Sequence, residues 1–441
     1  MAQQRVRPSI LVLYSVSRAP MRGTISDHLF SFRRYSEADC AYVNMAVREI
    51  PGWLARSRFD LVVFHTTLLS KRWGRQGFEP LVDRVRCLSE NPAVKVALPQ
   101  DEFINTDLLC QFIREMRIDH VFSVAPESQW EKIYAGVDRS RVQLHRVLTG
   151  YLDAKTVARI SRLRGKMSAR PIDIGYRAHG VRHSLGAHGY LKIRLADLVE
   201  SVAQGLGMRT DISTRYQDTL LGDAWYRFLL RCRYALGVEG GASIHDRDGT
   251  IWSKVQDYVA GHPEASFGEV EGACFPGLDG SFALFAISPR HLEACATKTA
   301  QILVEGHYNG ILKPNLHYIP VRRDLSNLEE VLDELGDESR RVDLVERAYS
   351  DVVESGSYTY RAFVERVLET SLPAGDSAIS VPSTRRIHQG EWLRLRTAES
   401  LSWAEPAFRG LLATIFYGLA GRLPQPLGGR LLAWRKARIR R

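Results

Sequence analysis

Cysteine is scarce in this chain of 441 residues, and its few copies stand apart from one another. The six positions are Cys40, Cys87, Cys110, Cys232, Cys274 and Cys295. Because no two of them are close in sequence, the pattern argues against a disulfide framework and against a zinc site. It favours a reducing compartment, so we expect a cytoplasmic protein with no metal and no cofactor.

A long apolar run is also absent from the sequence. A membrane-spanning helix needs about 18 or more apolar residues in a row, and the nearest candidate, GLLATIFYGLAG at 410–421, is shorter. The apolar stretch near the N-terminus, at 9–16, is not followed by a small-residue cleavage site. It therefore predicts a first strand rather than a signal peptide.

Acidic residues are missing from the last part of the chain, 421–441, which contains seven of the ten net positive charges. The rest of the chain is nearly neutral, so we expect no nucleic-acid partner. The basic end and the apolar stretch before it, together 408–441, are typical of a helix that lies on an anionic membrane surface. A packing helix with a solvated basic tail explains the same residues equally well.

Short apolar stretches alternate with helical patterns through the first third of the sequence. Four of them are predicted strands: SILVLYSV at 9–16, FDLVVFHT at 59–66, VKVALP at 94–99 and DHVFSVA at 119–125. Strands without polar alternation are buried on both faces, and their alternation with helices indicates a parallel, doubly wound sheet.

A second series of the same kind begins at PIDIGYRA, 171–178. We predict a first α/β domain over 1–154, a linker over the polar and basic stretch 155–170, a second α/β domain over 171–375 and a C-terminal extension over 376–441. In doubly wound folds ligands bind at the carboxyl ends of the strands, so two such domains would enclose a cleft. The alternative is one large α/β domain without a special cleft.

The stretch SPRHLEACATKTAQILVEGHYNG, at 288–310, follows a predicted strand, FALFAIS. Ser288 is a good N-cap and Pro289 a favoured first helical residue, so a helix begins here with its N–H groups facing the cleft. Such a helix start suits a diphosphate. Glu293 either accepts hydrogen bonds from two sugar hydroxyls or merely complements the helix dipole.

This stretch resembles the Glu-Ala segment of the bacterial group-1 glycosyltransferases, which are GT-B enzymes that use nucleotide-sugar donors. NLHYIPVRRDLSNLEEVLDEL at 315–335 and SGSYTYRAFVERVL at 355–368 resemble the segments that follow it in those enzymes. The resemblance is firm over 280–370, weaker over 171–254 and architectural before 150. It implies two Rossmann-like domains facing a cleft, with a nucleotide-sugar donor on the second domain and a saccharide or lipid-linked acceptor on the first.

The resemblance also implies roles for single residues. Glu293 takes the place of the carboxylate that holds the nucleotide ribose. Arg177 and Lys192 take the places of the cations that bind the donor diphosphate, with Arg182 as a substitute for the lysine. The first acid of the family's paired-glutamate motif is replaced by Phe285, which cannot contact a sugar hydroxyl or a cation. This departure puts the retaining mechanism of the family in doubt.

Polar residues at other strand ends are further candidates. Asp101, or its neighbour Glu102, follows one strand of the first domain, and His65 follows another. Each of the three is a candidate general base, or else a capping or buried structural residue. In the second domain Glu239, a candidate catalytic carboxylate, and Ser243, a candidate donor ligand, follow a strand closely enough to reach the donor sugar.

An Asp-x-Asp motif, Asp246 to Asp248, has the spacing that binds a divalent metal in glycosyltransferases of the GT-A fold. A surface turn that ends at Gly249 is the better interpretation, because two-residue motifs occur by chance. We therefore expect this pair to be structural.

Together these features predict a glycosyltransferase that moves a sugar from a nucleotide diphosphate to a saccharide or lipid-linked glycan, in the synthesis of a cell-surface polysaccharide. Fixed cations and the helix start at Ser288 would stabilise the leaving phosphate, so the reaction needs no metal. Two alternatives remain open. One is a non-catalytic nucleotide- or glycan-binding protein that keeps the fold, and the other is a sugar-nucleotide epimerase of the same fold.

Overall fold

Two parallel β-sheets, each flanked by helices, form the two halves of the molecule. The computed structural model describes residues 7–17, 21–167, 169–180, 183–372, 389–404, 406–408 and 411–412. The predicted α/β class, with two doubly wound domains facing a cleft, is confirmed. The basic tail at 421–441 and the candidate Arg182 lie outside the described residues.

The first domain contains a parallel sheet of six strands in the order β2-β1-β3-β4-β5-β6. Its strands are β1 (Ser9–Tyr14), β2 (Asp39–Asn44), β3 (Leu61–Phe64), β4 (Val94–Ala97), β5 (His120–Ser123) and β6 (Gln143–Arg146). Its helices are α1 (Gly23–Leu29), α2 (Ser31–Tyr35), α3 (Gly52–Ala55), α4 (Thr66–Leu69), α5 (Arg75–Val85), α6 (Thr106–Glu115) and α7 (Trp130–Ile133). The four predicted strands given above are all present.

The uniform apolar character of these strands reflects burial on both faces. In β1, Leu11 and Leu13 face one core cluster, whereas Ile10 and Val12 face another on the opposite side of the sheet. All four side chains are fully buried. A strand buried on both sides cannot alternate apolar with polar residues, which is the pattern that predicted a parallel sheet.

The second domain contains a parallel sheet of five strands in the order β13-β12-β9-β7-β8, and a separate pair, β10-β11. Its strands are β7 (Ile172–Arg177), β8 (Thr210–Ser213), β9 (Cys232–Gly237), β10 (Gly240–Ala242), β11 (Leu284–Ala286), β12 (Ala300–Val304) and β13 (Ile319–Val321). The helices from the domain junction onward are α8 (Ala154–Arg164), α9 (Gly186–Gly205), α10 (Asp223–Arg231), α11 (Thr250–Gly261), α12 (Phe267–Cys274), α13 (Pro289–Ala296), α14 (Leu328–Asp333), α15 (Glu338–Ala348), α16 (Tyr360–Ser371) and α17 (Gln389–Ser402).

The segment 240–286, which we call the bridging segment, packs against the first domain although it lies within the second in sequence. The predicted strand FALFAIS, at 282–288, overlaps the end of this segment, but its β11 pairs antiparallel with β10 instead of joining the five-stranded sheet. Ala242, Phe282 and Leu284 are buried in the core of the first domain. Trp252 packs edge-on against Trp73, with ring centroids 5.3 Å apart.

The chain crosses between the domains again near its C-terminus. Helix α16 packs its Tyr360, Phe363 and Val364 into the core of the first domain, against β1. Helix α17 also reaches that domain, where Glu399 pairs with Arg33 at 2.6 Å. Helices α16 and α17 therefore both contact the first domain, although they follow the second domain in sequence.

The predicted linker also contains regular structure. Helix α8 covers much of 155–170, and its Ile160 and Leu163 pack in a core cluster of the second domain. Its N-terminus is capped by Asp153, whose carboxylate accepts a hydrogen bond from the Thr156 N–H at 3.0 Å. Among the described residues, no helix is long and apolar enough to cross a membrane.

Candidate functional site

The largest cavity that we describe lies where the second sheet changes its winding direction. Strand β7 has β8 on one side and β9 on the other, so the chain moves outward in both directions from it. At such a point the connections after neighbouring strands separate and leave a crevice at the carboxyl ends of the strands. The cavity is about 810 Å³ and is lined by 175–180, at the end of β7 and just beyond it, and by 235–238, at the end of β9. We call it the main cavity.

Positive charge dominates the lining of the main cavity. Arg177, Lys192 and Arg290 come from the second domain and Arg22 from the first. The described residues that line it include no Asp or Glu. Arg22 also lies 2.7 Å from the Nε2 atom of His179, so the two domains meet at the cavity mouth. A cavity with this lining attracts anions and favours a phosphate-bearing ligand.

Arg177, predicted to bind the diphosphate, does line the main cavity, but its guanidinium is already bonded. Its Nη2 lies 2.6 Å from the Asp211 carboxylate, and its Nη1 donates to the Asp211 carbonyl oxygen at 2.8 Å. The guanidinium carbon also lies 4.4 Å from the centre of the Phe228 ring. Its Nε is buried without a hydrogen-bond partner among the described residues. Asp211 therefore fixes this cation and offsets part of its charge.

Arg290 is a cavity residue that the sequence analysis missed. It is the second residue of α13, and its Nη1 donates to the Arg177 carbonyl oxygen. Its guanidinium carbon lies 5.4 Å from the centre of the Trp225 ring. Burial, and to a smaller extent the charge of Arg22, lowers the pKa of the Arg290 guanidinium. The sequence did contain a signal for Arg290, because this residue directly follows Ser288 and Pro289 at a predicted helix start.

Lys192, on α9, lines the main cavity near two buried histidines. The pKa of His188 is lowered to about 3 and that of His291 to about 4. Burial is the main cause for both rings, and the charge of Lys192 adds to it. Both rings are therefore neutral at physiological pH, and Lys192 supplies the charge. Gly237 makes this packing possible, because a Cβ there would lie 2.6 Å from His291 Cε1.

Ser288 and Glu293 lie on either side of the start of α13. Ser288 is the N-cap residue, as predicted, and it lines the main cavity. Glu293 instead lines a smaller cavity of about 270 Å³, which shares Arg177, Ser288 and Arg290 with the main one. The two cavities are thus neighbouring parts of one cleft.

Glu293 is buried and hydrogen-bonded within the protein. Its Oε2 accepts from the Trp225 indole N–H at 2.8 Å, and its Oε1 accepts from the Tyr226 hydroxyl at 3.4 Å. Burial raises the pKa of Glu293 to about 7, against an ordinary value of 4.5. The carboxyl group is therefore partly protonated near neutral pH, which the sequence did not indicate.

Glu239 and Ser243, the other candidates of the second domain, do not line either part of the cleft. The Glu239 carboxylate accepts from the backbone N–H groups of Tyr308 at 2.7 Å and of His307 at 3.2 Å. Ser243 donates to the Asp279 carboxylate at 2.6 Å. Both side chains hold other parts of the domain in place. Glu239 holds the turn after β12, and Ser243 holds the start of α9.

The candidates of the first domain also lie outside the cleft lining. His65 is fully buried, with its Nε2 2.8 Å from His28 Nδ1, and burial lowers its pKa well below the usual range. Glu102 is buried and accepts from the Val124 N–H at 3.0 Å. Asp101 is exposed, and its backbone carbonyl accepts from Arg72 at 2.6 Å. The structure does not bring these three side chains together with the cations.

Phe285, the residue in place of the family's first acid, is part of a stacked group. Its ring centroid is 4.0 Å from that of His188, and the Arg323 guanidinium carbon lies 5.2 Å from it. Phe285 thus packs against a neutral imidazole and, contrary to the sequence expectation, also against a cation, Arg323, whose Nη2 lies 3.4 Å from His188 Nδ1. Next to this group, Gly189 of α9 lines the main cavity.

Both carboxylates of the Asp-x-Asp motif accept backbone hydrogen bonds at the start of α11. Asp246 is buried, and its carboxylate accepts from the N–H groups of Ile251 and Trp252, at 3.1 and 2.7 Å, at the start of α11. Asp248 accepts from the Thr250 N–H at 3.0 Å. Elsewhere in the described part of the chain, no group of three or more His, Cys, Asp and Glu side chains is arranged to hold a metal ion.

No protein-family model and no curated protein sequence matches the chain. Among solved structures it is similar to HepE of Anabaena in complex with UDP-glucose, with 11% identity and a TM-score of 0.47 over 82% of this chain and 100% of HepE. It is similar to sucrose-phosphate synthase from Thermosynechococcus elongatus, with 10% identity and a TM-score of 0.46 over 82% of this chain and 98% of the synthase. It is also similar to AviGT4, a glycosyltransferase involved in avilamycin A biosynthesis, with 10% identity and a TM-score of 0.41 over 82% of this chain and 97% of AviGT4. The identities and the TM-scores of all three similarities are low.

Proposed function

We propose that this protein is a glycosyltransferase that uses a nucleoside diphosphate sugar as donor. The observation that carries the proposal is the main cavity, where Arg22, Arg177, Lys192 and Arg290 meet at the switch point of the second sheet. Its volume of about 810 Å³ is within the range of small-molecule and cofactor sites. The sequence resemblance to group-1 glycosyltransferases supports the same assignment.

The cations would act mainly on the leaving group. When the bond between the sugar and the phosphate breaks, negative charge grows on the diphosphate, and positive groups already fixed in place stabilise that charge without reorganising. Arg290 is held by the Arg177 carbonyl and by the Trp225 ring, so it is such a group. Arg22 comes from the first domain, and the site is therefore complete only when both domains are in place.

Glu293 would hold the nucleotide ribose from the smaller cavity. A carboxylate has about four acceptor positions, and its bonds from Trp225 and Tyr226 use two of them. The remaining positions can accept from the two ribose hydroxyls. This use of Glu293 keeps the role predicted from the sequence and adds two positioning partners on α10.

The acceptor would be a saccharide or a lipid-linked glycan bound by the first domain, and the product part of a cell-surface polysaccharide. Arg22, Gly23 and Thr24, at the start of α1, line the smaller cavity, so a donor bound there would lie beside the first domain. The basic tail at 421–441 would hold the enzyme, a cytoplasmic protein, at an anionic membrane surface where a lipid-linked acceptor resides.

Incubation of the purified protein with a panel of UDP-, GDP-, ADP- and CMP-sugars tests the proposal. Release of the nucleotide, or transfer of the sugar to an added saccharide, is the expected result. Binding of a nucleotide sugar without turnover would instead identify a binding protein, and a new sugar nucleotide formed without acceptor would identify an epimerase. The Arg290→Gln variant should lose the activity, whereas Arg194→Gln, on the exposed side of α9, should keep it.

A further inference from the structure

A second cavity lined by cations lies at the opposite edge of the second sheet. It is about 490 Å³ and shares no residue with the main cavity. Arg170 precedes β7, Arg233 lies at the start of β9, and Lys298 precedes β12. Because the strands are parallel, these three positions mark the amino-terminal edge of the sheet. The proposed donor site occupies the carboxyl-terminal edge, so the two cavities are separate.

Cations outnumber carboxylates around this second cavity. The lining includes five cations and two carboxylates: Arg164, Arg170, Arg233, Lys298, Arg341, Glu338 and Glu346. The carboxylates pair with three of the cations. Glu338 bonds to Arg341 and, at 3.0 Å, to Arg233, and Glu346 bonds to Lys298. Arg233 also lies 3.5 Å from Asp173, outside the lining.

The remaining two cations, Arg164 and Arg170, have no carboxylate partner among the described residues. Arg170 donates hydrogen bonds to neutral oxygens, among them the Cys232 carbonyl at 2.6 Å and the Thr297 carbonyl at 2.8 Å. These bonds fix the guanidinium but leave its charge uncompensated. Burial first, together with smaller contributions from the charges of Arg341 and Arg164, lowers the pKa of Arg170 to about 10.

Arg164 has hydrogen-bonding capacity that the described residues do not use. Its guanidinium carbon lies 5.5 Å from the centre of the Tyr349 ring, which sets the orientation of the side chain. Its Nη1 is buried and has no hydrogen-bond partner in the described part of the chain. A buried donor without a partner is costly, and three guanidinium groups repel one another around the cavity.

We propose that this cavity binds the phosphate group of a small phosphorylated metabolite. A phosphate dianion between Arg164, Arg170 and Arg341 would accept a hydrogen bond from the unused Nη1 group of Arg164. Its negative charge would also offset the positive charge of Arg164 and Arg170. The lining also includes the apolar side chains of Met167, Leu230, Val342 and Val345. Because the cavity is larger than one phosphate ion needs, these side chains can contact the carbon skeleton of a phosphomonoester such as a sugar phosphate.

Isothermal titration of the full chain with glucose 1-phosphate, in the Arg290→Gln background, tests the proposal. That background removes a cation of the main cavity, so phosphate binding there is weakened while the second cavity is intact. We expect binding at one site, with glucose alone giving no signal and inorganic phosphate binding more weakly. All titrations are made at one ionic strength, with chloride as the compensating anion.

The decisive comparison is between two arginines of the same helix. Arg164→Gln should weaken glucose 1-phosphate binding by about tenfold or more, the usual effect of losing a charge-assisted hydrogen bond. Arg162→Gln, at an exposed position two residues earlier on α8, should have no effect. Equal weakening by both variants, or by neither, would overturn the proposal, as would equal signals from glucose 1-phosphate and from chloride.

A second variant keeps the test valid if Arg164→Gln does not fold. Arg341→Gln, on α15, removes a different cation from the same cavity and should also weaken binding, while circular dichroism reports on the fold. If Arg341→Gln folds and binds glucose 1-phosphate with unchanged affinity, the site is wrong. Binding of vesicles that contain phosphatidic acid, without binding of the soluble phosphomonoester, would also reject a metabolite site.

Discussion

The pH dependence of Glu293 gives the sharpest test of the cleft geometry. Its pKa is raised from the ordinary 4.5 to about 7 because the carboxyl group is buried beneath Trp225 and Tyr226. Below pH 4.5 the group is protonated in both the folded and the unfolded chain. Between pH 4.5 and 7 the unfolded chain loses this proton and the folded chain keeps it, so the free energy of unfolding falls as the pH rises.

The size of the effect follows from the two pKa values. At 1.36 kcal/mol for each pH unit, the difference between 4.5 and about 7 corresponds to about 3 kcal/mol of stability lost by pH 8. Glu293→Gln cannot ionise, and its side-chain carbonyl can still accept from the Trp225 indole. The free energy of unfolding of the wild type minus that of the variant should therefore fall by about 3 kcal/mol between pH 4.5 and pH 8.

Urea unfolding followed by tryptophan fluorescence at several pH values measures this difference. Contributions from other titrating groups largely cancel, because they occur in both proteins. Glu305→Gln, which removes an exposed carboxylate from the same domain, serves as the control for the loss of one charge. A wild-type-minus-variant difference that stays constant between pH 4.5 and pH 8 would refute the reasoning and place Glu293 in contact with solvent.

Three further predictions concern other parts of the molecule. Arg290→Gln should weaken UDP binding by about tenfold or more while uridine binding is unchanged, and Arg194→Gln should bind UDP like the wild type in the same calorimetric titration. Trp252→Ala should lower the free energy of unfolding by about 1–2 kcal/mol, because it removes an aromatic contact with the first domain. Lys254→Ala, on the exposed side of α11, should not lower it. Equal losses of stability in the two variants would show that the contact does not stabilise the fold. A chain that ends at residue 420 should stay in the supernatant with anionic liposomes and keep nucleotide binding, and sedimentation equal to that of the full chain would assign the tail another role.

The local features of the fold could be predicted from the sequence. Strand β1 and the helix start at Ser288 and Pro289 depend on burial pattern and capping, which neighbouring residues determine. A cleft at the carboxyl edge of the second sheet could also be predicted, because parallel strands place their carboxyl ends together. Arg177, Lys192 and Ser288 line the main cavity there, and their role in donor binding stays a prediction.

Other features depend on contacts between residues far apart in sequence and could not be predicted. FALFAIS has the composition of a buried strand, but its β11 pairs with β10, and its Phe282 and Leu284 lie in the core of the first domain. His65 follows a strand as a cleft residue would, yet His28 from α1 covers it. Polarity and position near a strand end do not show which helix packs over a side chain. The burial of these residues therefore could not be predicted from the sequence.

The bridging segment has a consequence for the order in which the chain folds during synthesis. The core of the first domain includes Leu284 from the bridging segment and Phe363 from α16, and Trp403, just beyond α17, packs against it. Residues 1–154 alone would leave these contact surfaces exposed to water. The first domain therefore cannot complete its core when the ribosome has made only its own sheet, unlike a domain that folds independently from the N-terminus. Its last contacts form after the second domain has emerged, so the two halves complete their folding together and the long-range contacts make this late step slow.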